Sequence, residues 1–213
     1  MKRVSAIVLA AGLSRRMGEV NKLALPIHGT PLLTHTLERL LESNLHEIVV
    51  VIGHEQETIR TLISSLPVNI VYNENYQEGQ MTSVHCGLSA LKEPGDGVMI
   101  CLSDLPLLQA EDINRLIDAF LNHCETSVMV PTFQGKRGNP IVMDFKHRQE
   151  ILGSGRNLGC KRLLEKNPDL VTALEMKNDH TVFDLDTQDD YQRALCRITA
   201  ELSAAQSEIT VER

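Results

Sequence analysis

The stretch "VSAIVLA", residues 4–10, runs without a break into "AGLSRRMG", residues 11–18. Seven short, mostly aliphatic residues with no polar alternation describe a strand covered on both faces, as in a parallel sheet flanked by helices. The loop that follows is glycine-rich and basic, but it matches no common phosphate motif. Five residues separate Gly12 from Gly18 and no Lys-Ser or Lys-Thr pair comes after, so it is not a Walker A loop, and it does not read GxGxxG. It offers small residues that let backbone N–H groups close on an anion, with Arg15, Arg16 and Lys22 set against a single Glu19. The competing reading of the same residues is a solvated basic turn.

Working outward, "PLLTHTLERLLES" (31–43) puts Leu33, Leu37, Leu40 and Leu41 on one helical face, with Pro31 suited to the first turn. Strand and helix then alternate: "EIVVVIG" (47–53), "EQETIRTLISSL" (55–66), "VNIVYN" (68–73), "TSVHCGLSAL" (82–91), "GVMICLSD" (97–104) and "AEDINRLIDAFLNH" (110–123). From residue 127 the pattern changes. "SVMVPTFQGKRGNPIVM" (127–143) reads as two strands joined around 135–138, and "VTALEMKNDHTVFDLD" (171–186) as another pair around 177–179. A closing helix is expected from Gln188. The prediction is a three-layer α/β/α fold, mostly parallel with antiparallel additions in the second half. No linker or repeat interrupts the 213 residues, so one domain is expected, with a polar tail fraying from about residue 200.

A formal charge of -7 argues against a broad nucleic-acid footprint, so any anion must be held locally. The apolar runs fall well short of the roughly 20 residues that span a bilayer, and the first residues lack a signal-peptide core; a cytoplasmic protein is expected, with no membrane partner. Five scattered cysteines without CxxC spacing read as reduced thiols, Cys101 as core, and eight histidines without an HxxxH pair as packing or surface residues.

In open α/β sheets ligands sit beyond the carboxyl ends of the strands. That rule selects the loops at 11–22, 73–83 and 103–108. Asp104 ends a central strand, where one carboxylate suffices to place a magnesium ion against phosphate oxygens; the alternative is a helix cap, although Glu111 and Asp112 lie nearer that helix. Asp184 and Asp186, two apart, share a face in an extended segment; one completes the metal site, and the other caps the final helix through Asp186 or Thr187.

Read together, "LAAGLSRRMGEVNKLALP" (9–26), "EGQMTSVHCGL" (78–88), "LSDLPLL" (102–108), "GKRGNPIVM" (135–143) and "DLDTQDDY" (184–191) resemble, in order, the motifs of the MobA-like nucleotidyltransferases. Within that family the chain is similar to the molybdenum cofactor cytidylyltransferases, whose first loop carries Ala-Ala-Gly where the guanylyl branch usually has Ala-Gly-Gly. The resemblance implies a Rossmann-like fold, Mg²⁺ as cofactor, and transfer from CTP to a molybdopterin-type cofactor that releases pyrophosphate. The product serves a molybdoenzyme resembling xanthine dehydrogenase, which it reaches directly or through its chaperone. It also implies site residues. Leu9, Ala10, Ala11, Gly12, Leu13, Ser14, Arg15, Arg16, Met17 and Lys22 bind nucleotide with Gly79, Gln80, Thr82 and Ser83. Lys22, Arg15 and Asp104 are catalytic; Asp104, Asp184 and Asp186 hold metal; Gly138, Asn139 and Pro140 bind the acceptor. For Thr82 and Ser83 a helix cap is the alternative, and for Asn139 a turn. Similar proteins often carry Gly-Asp-x-Gly-Ala-Arg further on, whereas this chain reads "RNLGCK" (156–161), keeping Gly159 and a cation at Lys161. Two other readings share these residues: transfer from another NTP or to another phosphorylated acceptor, and a non-catalytic module that binds nucleotide or delivers the cofactor.

Overall fold

A computed structural model describes residues 2–14, 20–92, 95–123, 127–153 and 168–211. Its strands are β1 (Val4–Ala10), β2 (Pro26–Ile27), β3 (Thr30–Pro31), β4 (Ile48–Ile52), β5 (Asn69–Tyr72), β6 (Gly97–Leu102), β7 (Val128–Phe133), β8 (Lys136–Arg137), β9 (Ile141–Asp144) and β10 (Val171–Glu175). The helices are α1 (Leu32–Leu41), α2 (Gln56–Leu62), α3 (Gln80–Ala90), α4 (Ala110–Asn122), α5 (His147–Gly153) and α6 (Gln188–Val211). The main sheet runs β10-β7-β9-β6-β1-β4-β5, and β2 and β3 form a separate small ribbon. β1 lies between β4 and β6, parallel to both, and every residue of it is buried. This is the environment that its unbroken apolar run demands.

Alternate residues of β1 enter two cores. Val4, Ala6, Val8 and Ala10 pack with Leu33, Leu37 and Leu40 of α1 and with Ile113 and Leu116 of α4. Ile7 and Leu9 pack on the other face with Val84 and Leu88 of α3 and Ile151 of α5. Each of these large side chains contributes roughly 1.5–3 kcal/mol when fully buried. Gly87 lets α3 approach closely, since a Cβ there would stand 2.3 Å from Ile7 Cγ2. The three-layer α/β fold expected from the sequence is therefore present.

The second half departs from expectation in one place. Residues 127–143 do form an antiparallel unit, with the return strand split into β8 and β9, both paired to β7, and β9 also antiparallel to β6. Residues 171–186 do not form a second pair. β10 joins β7 in parallel, Val171 opposite Val128, and residues 180–182 make a 3-10 turn. Local side-chain bonds explain the correction: Asn178 Oδ1 accepts the His180 N–H at 3.1 Å, and both side chains reach Asp112 on α4, so the backbone is drawn away from a ladder. α6 begins at Gln188 as expected and runs through Val211.

Candidate active site

Loops leaving the carboxyl ends of β1 and β6 meet the segment before α3 and the segment before α6 around a cleft of about 620 Å³. Its wall includes Leu9, Ala11, Gly12, Leu13, Ser14 and Lys22 on one side, Tyr76, Gln77, Gly79, Gln80 and Ser83 on another, and Ser103, Asp104, Asp184 and Asp186 opposite.

The first wall is set by short-range geometry. After Ala11 the chain passes through Gly12 and Leu13, and Ser14 takes a left-handed φ of 48°. Asn21 caps the 3-10 turn Lys22–Ala24: its Oδ1 accepts the Leu23 N–H at 3.1 Å, while its Nδ2 donates to Glu55 Oε2 at 3.0 Å. Lys22 is thereby aimed across the cleft. Its Nζ donates to the Asp104 carboxylate, to Leu185 O at 3.0 Å and to Asp186 Oδ1 at 3.3 Å.

The acidic wall is assembled from distant parts of the chain. Ser103 Oγ donates to Leu9 O at 2.7 Å, tying the end of β6 to β1, and Leu185 N–H donates to Asp104 O at 2.9 Å. Other residues supply the helix caps next to these aspartates. α4 is capped reciprocally by Gln109 and Asp112, and α6 by Thr187 and Asp190, whose Oδ2 accepts the Thr187 N–H at 2.8 Å. Asp184 is an exposed residue, yet protein crowds its carboxyl group. That burial, then the charges of Asp104 and Asp186, pushes its carboxyl up to about 6, with Lys22 acting in the opposite sense.

In the second loop Gly79 has φ 120°, open to glycine and strained for other residues, and no side chain caps α3. Gln80 and Ser83 line the cleft. Thr82 does not: its Oγ1 lies 2.8 Å from Gly79 O and accepts from Asn73 Nδ2 at 2.8 Å, so it braces the loop. Ala10 is buried behind the wall. Gly138, Asn139 and Pro140 line neither this cleft nor the adjoining cavity of about 470 Å³, which shares Asp184 and Asp186 and includes Phe133, Gln134, Lys136, Phe183 and Arg193. Arg15, Arg16, Met17 and the 156–161 stretch lie outside the described residues. Sequence reasoning missed Tyr76 and Gln77, although an aromatic in this loop of a chain only 3% aromatic was a usable signal. A Cβ at Gly53 would stand 2.6 Å from Tyr76 Cβ, so that glycine makes the seat for the ring.

Among the described residues no three His, Cys, Asp or Glu side chains already enclose a metal position. The acidic wall nevertheless fits a hard divalent ion completed by ligand oxygens. Asp104 Oδ1 is buried without a hydrogen-bond partner, and Asp184 sits among like charges that a cation relieves.

Comparison with known proteins places the chain in a family. Residues 6–171 match the family described as "MobA-like NTP transferase domain", a span that ends before Asp184. The chain is 26% identical over 197 residues to nicotine blue oxidoreductase of Paenarthrobacter nicotinovorans, covering 90% of this chain and 96% of that one. It is 29% identical over 194 residues to the purine catabolism protein PucB of Bacillus subtilis, covering 87% and 92%. The crystal structure of Rv0371c from Mycobacterium tuberculosis superposes with a TM-score of 0.79 at 25% identity, over 91% of this chain and 97% of that one; that protein has also been solved in complex with manganese. Among the described residues no helix is long and apolar enough to cross a membrane. With the motifs in order, the three-layer α/β fold as expected and the family matched across most of the chain, this protein belongs to the MobA-like NTP transferase domain family and is a nucleotidyltransferase of that family.

Proposed function

We propose that this protein, acting as one domain in the cytoplasm, is a Mg²⁺-dependent cytidylyltransferase that joins CTP to molybdopterin. The observation that carries the reading is the meeting of Lys22 Nζ with Asp104 and Asp186 across a cleft whose other side is the small-residue backbone at 11–14. Nucleotidyl transfer asks a protein to align attacker and leaving group and to neutralise charge on the phosphates. Because one full-length relative bears the name of an oxidoreductase, the reading rests on these side chains rather than on membership alone.

In this reading the triphosphate lies along the N–H groups from Ala11 to Ser14, with Lys22, Arg15, Arg16 and Met17 completing the loop. The base and ribose face Gly79, Gln80 and Ser83. Asp104 with Asp184 or Asp186 would hold magnesium, which when bound supplies Lewis-acid neutralisation of the phosphates. An oxygen of the acceptor's phosphate attacks the α-phosphorus in line. The bond from that phosphorus to the oxygen bridging to the β-phosphorus breaks, and pyrophosphate leaves with the electron pair; the acceptor is already an anion, so no general base is required. The acceptor occupies the adjoining cavity that shares Asp184 and Asp186, with Gly138, Asn139 and Pro140 serving it from behind that wall. The recipient of the product is a molybdoenzyme resembling xanthine dehydrogenase, or its chaperone.

Purified protein with Mg²⁺, molybdopterin and each NTP in turn, followed by pyrophosphate release, tests this. Release with CTP alone supports it. Release only with another NTP or only with a sugar phosphate moves the substrate assignment, and tight nucleotide binding without turnover replaces it with a delivery module.

A further inference from the structure

The turn that leads into Asp184 and Asp186 is held by groups that do not line the cleft: from α6 the Arg197 guanidinium donates to both oxygens of Asp179, and two further holds come from other parts of the fold. On one side stands Asp112, in the first turn of α4 and only 6% exposed. Its carboxylate collects the Gln109 N–H at 3.1 Å, Asn178 Nδ2 at 3.3 Å and His180 Nδ1 at 2.8 Å. An ionised carboxylate only accepts, so the proton of that last contact sits on Nδ1. On the other side the Asn139 N–H donates to Thr181 O at 2.7 Å, and a Cβ on Gly138 would stand 2.2 Å from the same oxygen. Thr181 itself is fully buried. Directly beyond this turn Leu185 bonds to Asp104 through its N–H and to Lys22 through its carbonyl. The conformation of the turn therefore reaches the acidic wall through a few backbone bonds.

We propose that His180 is a positioning residue: anchored on Asp112, it fixes the turn from which Asp184 and Asp186 enter the cleft, and so sets how well the acidic wall holds its divalent ion. Groups behind a metal site that orient its ligands commonly change metal affinity by about 10- to 100-fold when removed. The inference rests on the reading of that wall as a metal site. It also gives Gly138 and Asn139 a role through Thr181, in place of direct contact with a ligand.

The test compares wild type, His180→Ala and His180→Asn, since asparagine can place an amide donor where Nδ1 stands. Two readouts are taken on the full chain: Mn²⁺ affinity in the presence of CTP, by electron paramagnetic resonance, and amide exchange of Leu185, whose N–H bonds to Asp104 O. His180→Ala is expected to weaken Mn²⁺ about 10-fold and to speed Leu185 exchange, with CTP binding in EDTA unchanged and both effects largely reversed in His180→Asn. Unchanged Leu185 exchange in His180→Ala overturns the proposal, as does Mn²⁺ affinity that stays at the wild-type value. A loss that Asn does not restore also overturns it. If wild type binds no Mn²⁺ at all, the metal reading falls by itself, while the exchange measurement still decides whether His180 positions the wall.

Discussion

Behind Gly12 the cleft wall is held mostly by near neighbours: Asn21 accepts the Leu23 N–H and so caps the turn that opens with Lys22, the next residue, and the loop from Ala11 to Ser14 follows directly from β1. Across the cleft, Lys22 meets Asp104 from 82 residues away and Asp186 from 164 residues away, and Leu185 reaches back to the end of β6. The first wall is a consequence of local sequence and the second of tertiary assembly. Backbone donors need only a loop of small residues to exist. Crowded carboxylates need the rest of the fold to hold them together, because like charges this close repel unless a cation intervenes. The difference predicts that damage to the acidic wall is felt in chemistry and metal dependence, whereas damage to its local supports is felt in stability.

The largest break in that contrast is Asp104→Ala. Turnover measured by pyrophosphate release should fall on the order of 10²- to 10³-fold, as when one preorganised charge-stabilising group is lost, with circular dichroism unchanged. Wild-type turnover in this variant would remove Asp104 from the metal site. Next comes Lys22→Ala, which removes a charged donor worth about 1.5–3 kcal/mol. Nucleotide affinity and rate should therefore drop together by roughly 10- to 100-fold; a fall in rate alone would separate Lys22 from ground-state binding.

How far these walls can be read from sequence follows from the same physics. β1, its loop and the alternation through α4 are legible because burial on both strand faces and one-faced leucine spacing leave strong periodic signals. The place of Asp104 in the cleft is legible as that of a strand-end carboxylate, but that Asp112 and Asp190 take capping duties while Asp104 and Asp186 meet Lys22 depends on contacts no local pattern encodes. The expected strand pair at 171–186 fails for the same reason: Val, Thr and Leu favour a strand, but the partner of β10 is β7, and Asn178 and His180 bond to a helix more than 60 residues earlier. Tyr76 was overlooked because its place in the cleft depends on Gly53, in another loop.

The contrast sharpens further with pH. Because Asp184 titrates at about 6 in the folded protein, above the usual carboxylate range, the native state holds that proton more tightly than the unfolded chain does. Its contribution to stability is present at pH values below the ordinary carboxylate range and is lost as pH rises through about 6. Metal-free Asp184→Asn should therefore melt above wild type at pH 8, with the difference closing toward pH 4; equal melting temperatures at pH 8 would show that Asp184 is not crowded. The smallest effect belongs to Thr187→Ala, which removes half of the α6 capping box. It should cost about 1 kcal/mol in denaturant unfolding while leaving the half-saturating Mg²⁺ concentration as it is.

The most direct test of the whole account is calorimetric titration of CTP into wild type and Asp104→Asn, each with Mg²⁺ and with EDTA. The account predicts tight binding only in wild type with Mg²⁺, weakened by either EDTA or the substitution. Equal CTP affinity under all four conditions would contradict it, because the lysine and carboxylates that face each other across the cleft would then have no part in gathering nucleotide and ion.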